Sequence, residues 1–265
     1  MNHINVILKL FSLLGVVSTA FAGERPNIVI VMVDDLGYSD IGCYGGEIHT
    51  PNLDALAQGG MRFRQFYNAG KCHSSRVTLL SGLHSYQAGN AEEDGSVKLH
   101  NGNVARGVSI AQVLRSAGYY TAISGKWHVS PEPRALGFDR FFGFLAGYIR
   151  DYFASEKLQL DGHGYVGREG YITDLITNHG IEFIEEAHDQ KKPFLLYLPY
   201  NAPHYPLQAP QEEIDKYIGR YDQGWLAVRE RRLQKMRALG LVGKDWISAS
   251  SKEVKLREWN ALSED

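Results

Sequence analysis

The sequence predicts an α/β protein built on a mainly parallel, mixed sheet flanked by helices. Residues 27–33, 119–124 and 193–198 are continuous apolar runs rich in β-branched and aromatic residues, the pattern of strands covered on both faces. Between them, residues 50–57, 109–117 and 171–188 carry helix start signals or apolar residues at helical spacing. Strands that alternate with helices argue for parallel connections. A chain of 265 residues, 44% hydrophobic, can bury the core that one large domain of this kind needs.

Taken in order, residues 1–22 stand apart from the domain. One lysine, Lys9, precedes an apolar stretch at 10–19, and Ala20-Phe21-Ala22 has the small-x-small pattern of a signal peptidase site. A cleaved export signal is therefore expected, placing the protein in the periplasm or outside the cell, with no transmembrane segment later in the chain. The first strand, 27–33, ends at Asp34-Asp35. Thr50 as N-cap, Pro51 at the first helical position and a Gly59-Gly60 stop frame the next helix. Residues 61–67 alternate apolar and polar and read as a short strand. Cys72-His73-Ser74-Ser75-Arg76 opens a helix whose buried face is Val77 to Leu80, and a helix start suits an anion. Residues 82–107 read as a long surface loop. Gly118 closes the helix at 109–117, and strand 119–124 runs into Gly125-Lys126-Trp127-His128. Residues 131–161 are aromatic and irregular, and strand 193–198 ends near Ala202-Pro203-His204.

The chemistry-bearing groups all fall at ends of strands or helices, where open α/β sheets place ligands. Asp34 and Asp35 are hard oxygen donors suited to Ca2+, with Mg2+ as the alternative; a capping Asp-Asp turn is the plain structural reading. Arg76 offers a fork of donors for an anion, and Lys126 a point charge for a developing oxyanion. His128 and His204 can each move protons. A net charge of −2 without a dense basic tract argues against nucleic acid as a partner. Only Cys43 and Cys72 are present, so no disulfide scaffold is expected.

With those residues in view, a resemblance emerges. Cys72-x-Ser-Ser75-Arg76, followed by Gly82, resembles the signature of the type I, arylsulfatase-like sulfatases of the alkaline phosphatase superfamily. Asp34-Asp35 resembles that family's paired metal aspartates, and Gly125-Lys126-Trp127-His128 and Ala202-Pro203-His204 resemble two further active-site motifs. Thr50-Pro51-Asn52-Leu53-Asp54 and Tyr221-Asp222-x-Gly224-Trp225 with Arg229 fit the same pattern. The resemblance implies a sulfuric ester hydrolase in which a maturation enzyme converts Cys72 to Cα-formylglycine. The hydrated aldehyde would attack sulfur, helped by Ca2+ on Asp34, Asp35 and the modified Cys72. His204 would serve the leaving-group side, His128 would deprotonate the second hydroxyl to expel sulfate, and Arg76 with Lys126 would hold the diol and the anion.

This sequence departs from the family at Ser74, where proline or alanine is usual. The family's last metal ligands and a further lysine fall beyond residue 265, so residues 23–265 are expected to be the N-terminal part of a catalytic domain. The abundance of aromatic residues around irregular loops, in an exported protein, points to a sulfated carbohydrate or aryl sulfate. Two rival readings are a phosphonate or phosphodiester hydrolase of the same superfamily and an inactive, truncated secreted relic.

Overall fold

The computed structural model describes residues 25–89, 104, 106–154, 156–167, 169–250, 253 and 255–262. The expected leader at 1–22, and most of the loop expected at 82–107, lie outside the described residues. In chain order the main elements are β1 (Ile28–Met32), α1 (Pro51–Gly59), α2 (Cys72–Ser81), α3 (Ser85–Ala88), α4 (Ile110–Ser116), β2 (Tyr120–Lys126) and β3 (Arg140–Phe144). They continue with β4 (Gln159–Leu160), β5 (His163–Gly164), α5 (Ile172–Asp189), β6 (Phe194–Pro199), α6 (Gln211–Asp215) and α7 (Gly224–Ala238).

Among the described residues, six strands form one sheet in the order β1-β6-β2-β3-β4-β5. The first four are parallel, with Ile28 beside Leu195, Tyr120 beside Phe194 and Ala122 beside Arg140; β4 and β5 add antiparallel pairs at the far side. The sheet is thus mixed and mainly parallel, as the sequence predicts.

Strand periodicity splits the core in two. Ile123 and Leu195 face Val77, Leu80 and Ala111 from α2 and α4, while Ala122 and Leu196 face Ile176 and Phe183 of α5. Ser109 caps α4, accepting from the Gln112 amide while the Gln112 side chain accepts from the Ser109 amide. Thr50 stands at the N-cap of α1 as expected, yet its hydroxyl accepts from the Gly42 amide at 2.9 Å rather than from its own helix.

Three expectations need correction. Strand β1 is not covered on both faces: it lies at the sheet edge, paired only with β6, and Val29 and Val31 remain about half exposed. Residues 61–67 form no strand; Met61, Phe66 and Tyr67 are more than 70% exposed, so their alternation has no core to face. The stretch 131–161 is not irregular throughout, since it contains β3, whose Phe141, Phe142 and Phe144 are buried.

Two glycines bring the strand ends together. Gly125 and Gly143 both have φ of 137°; a Cβ on Gly143 would lie 1.9 Å from the Gly125 carbonyl oxygen, and one on Gly125 would lie 2.1 Å from that of Pro199. Only glycine permits this close approach of β3, β2 and β6. Lys126, Trp127 and Pro199 are thereby held at one edge of the sheet.

Candidate active site

The site assembles where β1, β2 and β6 end and α2 begins. Lys71 is extended (φ −139°), so Cys72 is the first helical residue, and Arg76 follows one turn later on the same face. Cys72 Sγ lies 3.4 Å from His128 Nδ1. His128, immediately after β2, adopts a positive φ of 52° in a half-buried position. Burial, reinforced by Lys126, His73 and Arg76, pushes its pKa down to about 4, so the imidazole is neutral near pH 7.

Beneath that pair lies a buried charge triad. Asp34 is 4% exposed, Arg76 1% and Lys126 0%. The Lys126 ammonium donates to Asp34 Oδ2, and Arg76 Nη2 is 3.5 Å from Asp34 Oδ1. Arg76 Nη1 also donates to the Lys126 carbonyl at 2.8 Å. One carboxylate therefore serves two cations in a place water does not reach, leaving a net positive charge beside Cys72. Arg76 Nε is buried without a partner among the described residues, a donor in reserve for an anion.

The remaining two candidates meet on the solvent side. Asp35 has φ of 61°, which turns its carboxylate outward, where it is 62% exposed and 3.6 Å from His204 Nε2. His204 Nδ1 is 2.6 Å from the Tyr205 carbonyl, which can only accept, so Nδ1 carries the proton and Nε2 faces the site. Tyr152 donates its hydroxyl to the His204 carbonyl, fixing the segment.

The structure thus brings together Cys72 with His128, Arg76 and Lys126 with Asp34, and His204 with Asp35. Sequence reasoning gave no role to two neighbours, Asn201 and His73, and did not place the cleft beyond His204. Asn201 is 1% exposed and its amide oxygen and nitrogen have no partner among the described residues. It lies two residues past the end of β6, just after Tyr200, whose N–H donates to the Met32 carbonyl two residues before Asp34. Asp34, Asp35 and this orphaned Asn201 amide are oxygen donors at adjacent strand ends, a set that fits a hard divalent cation. His73 packs edge-on to His128 with ring centroids 5.6 Å apart, and its place next to Cys72 in the chain was the available signal. Finally, a cleft of about 620 Å3 beside His204 is lined by Tyr148, Arg150, His204, Tyr205 and Pro206. There the Tyr148 ring is nearly parallel to that of His204, 12° apart. Gln208 ties its walls, accepting from Tyr152 N–H and donating to the Arg150 carbonyl, both at 2.9 Å.

Comparison with known proteins agrees with this arrangement. The Sulfatase family pattern matches residues 26–244. An uncharacterized sulfatase of Schizosaccharomyces pombe is 34% identical over 271 residues, covering 91% of this chain and 49% of that protein. An arylsulfatase of Klebsiella aerogenes is 32% identical over 268 residues, covering 91% of this chain and 56% of that protein. A solved structure described as BT4656 in complex with its substrate D-glucosamine-2-N,6-O-disulfate superposes with a TM-score of 0.63 at 32% identity, covering 75% of this chain and 38% of that one. The chain spans about half the length of the two sequence relatives. With Cys72, Arg76, Lys126 and Asp34 gathered at the sheet edge inside the matched span, the chain belongs to the sulfatase family.

Proposed function

We propose that this chain carries the core of a sulfate ester hydrolase, acting on a sulfated carbohydrate or aryl sulfate outside the cytoplasm. The observation that carries the reading is the buried Arg76–Asp34–Lys126 triad directly behind a cysteine that touches a histidine. A net positive pocket closed to water binds a sulfate group more strongly than a solvated one does.

Conversion of Cys72 to formylglycine by a maturation enzyme would supply a hydrated aldehyde as nucleophile, in place of a thiol. Asp34, Asp35 and the converted Cys72 would hold Ca2+, or Mg2+, whose charge would neutralise sulfate oxygens. The chain's own groups do the rest. Arg76 and Lys126 draw the anion inward. His128, 3.4 Å from Cys72, accepts the proton that must leave for sulfate to be expelled. His204 presents Nε2 on the outer side, where the alcohol departs. The cleft beyond it offers the faces of Tyr148 and Tyr205 to a sugar ring, and Arg150 to a further anionic substituent. BT4656, whose substrate carries two sulfates, supports a sulfated amino sugar as one substrate class.

The test is turnover of para-nitrophenyl sulfate against bis-para-nitrophenyl phosphate by chain co-expressed with a maturation enzyme. Faster sulfate release is expected. Faster phosphodiester cleavage would assign the site to the related phosphodiester hydrolases instead, and loss of both in a metal-replete, fully converted sample would favour an inactive relic.

A further inference from the structure

Before conversion, the same pocket contains a different donor set. Cys72 Sγ, a His73 ring nitrogen and a His128 ring nitrogen all lie within 4.8 Å of one another, and each residue is half-buried. This trio is the only group of three or more metal-ligating side chains so close together among the described residues. Its chemistry is unlike that of Asp34 and Asp35: sulfur and imidazole select Zn2+ and similar borderline ions, whereas carboxylates select Ca2+ and Mg2+.

The distances favour a shared ion. A tetrahedral site with Zn–S of about 2.3 Å and Zn–N of about 2.05 Å places sulfur and nitrogen about 3.6 Å apart, and two nitrogens about 3.3 Å apart. Cys72 Sγ and His128 Nδ1 are already 3.4 Å apart. The His73 nitrogen lies within 4.8 Å of the other two donor atoms, so reaching these edge lengths takes a shift of at most about 1.5 Å. His73 stands in the first turn of α2, beside Cys72 and edge-on to His128. The net positive charge of the Arg76–Asp34–Lys126 triad works against a cation here, and a deprotonated Cys72 offsets it.

We propose that the unconverted chain binds one Zn2+ or similar borderline ion through Cys72, His73 and His128, leaving a fourth position for water. The site exists only in the precursor, since formylglycine has no sulfur. Zinc there masks the thiol from alkylation. The proposal stands whether or not the mature enzyme hydrolyses sulfate esters.

The experiment titrates Co2+, as a spectroscopic substitute, into the full 265-residue chain produced without a maturation enzyme and shown by mass to retain the Cys72 thiol. The expected result is one ion per chain, a thiolate-to-cobalt charge-transfer band, visible bands of tetrahedral intensity, and displacement of all of them by Zn2+. C72S abolishes the charge-transfer band; H73A and H128A each weaken Zn2+ at least tenfold; C43A changes nothing. Circular dichroism confirms that each variant is folded, and Zn2+ slows iodoacetamide labelling of Cys72 in the parent. A parent without the band, a band that survives in C72S or disappears in C43A, or unchanged affinity in H73A or H128A would overturn the three-ligand site.

Discussion

Replacing Asp34 with asparagine keeps the shape of the side chain and removes the one negative charge that two buried cations share. At the 3.5 Å separation of Arg76 Nη2 and Asp34 Oδ1, with an effective dielectric of about 20, the attraction is about 5 kcal/mol before desolvation is subtracted. Lys126 adds a second, closer contact on the other oxygen. Removing one partner of a buried ion pair costs about 3–5 kcal/mol, because the remaining charge is stranded away from water. Here two charges are stranded, at 1% and 0% exposure. Asp34→Asn is therefore expected to lose about 3–5 kcal/mol of unfolding free energy, a large part of a typical domain's total of about 5–15 kcal/mol. The assay is urea unfolding followed by circular dichroism, in chelator so that metal affinity plays no part. Asp34→Asn/Lys126→Met, which also deletes one stranded cation, should recover at least about 1 kcal/mol relative to the sum of the single changes. A D34N protein within about 0.5 kcal/mol of the parent, or strictly additive variants, would refute the argument by showing that the triad is hydrated in solution.

Three further outcomes follow from the same structure. Gly143→Ala should destabilise the sheet by at least about 2 kcal/mol, because the new Cβ meets the Gly125 backbone, its carbonyl oxygen at 1.9 Å, and backbone cannot swing aside as a side chain can; a thermal midpoint unchanged from the parent would contradict it. Glu47 is held below its ordinary pKa of 4.5: burial alone would raise it, but the Arg232 fork, at 2.7 to 3.0 Å, outweighs burial. Its folded pKa being the lower one, its contribution is present above the ordinary value and lost as pH falls through the depressed one. The stability gap between parent and E47Q should therefore be constant near neutrality and narrow below about pH 4, and a gap independent of pH would count against the pairing. Under the proposed function, Arg150→Ala should raise KM for a sulfate ester carrying a second anionic substituent about tenfold with kcat little changed, as loss of one charge-assisted contact of about 1.5 kcal/mol requires; a fall in kcat at constant KM would place Arg150 in the chemistry instead.

How much of this was legible in the sequence varied with the range of the cause. Local causes were readable: the apolar runs became β2 and β6, the helix expected at 109–117 formed as α4, and the helix at Cys72 buried Val77 and Leu80. Position at a strand end was readable too, which is why Asp34, Lys126, His128 and His204 were all candidates. Partner choice was not. Nothing in the order of residues says that Arg76 and Lys126, 50 positions apart, turn to the same carboxylate of Asp34, or that Asp35 turns away from it to His204. Those pairings depend on the close approach of strands at Gly125 and Gly143 and on the left-handed backbone at Asp35. Likewise, the period-two alternation of residues 61–67 is a genuine strand signal that fails because no neighbouring strand receives it. The edge exposure of β1 had the same origin, since burial of both faces is decided by neighbours and not by the strand.

The central claim is that Cys72 is a precursor of the nucleophile and not the nucleophile itself. Mass spectrometry of the peptide spanning residues 72–76, from chain co-expressed with a maturation enzyme, tests it most directly. The account predicts a peptide lighter than the thiol form by the exchange of CH2–SH for an aldehyde, in proportion to sulfatase activity. Activity from a preparation whose Cys72 is wholly unconverted thiol would contradict it.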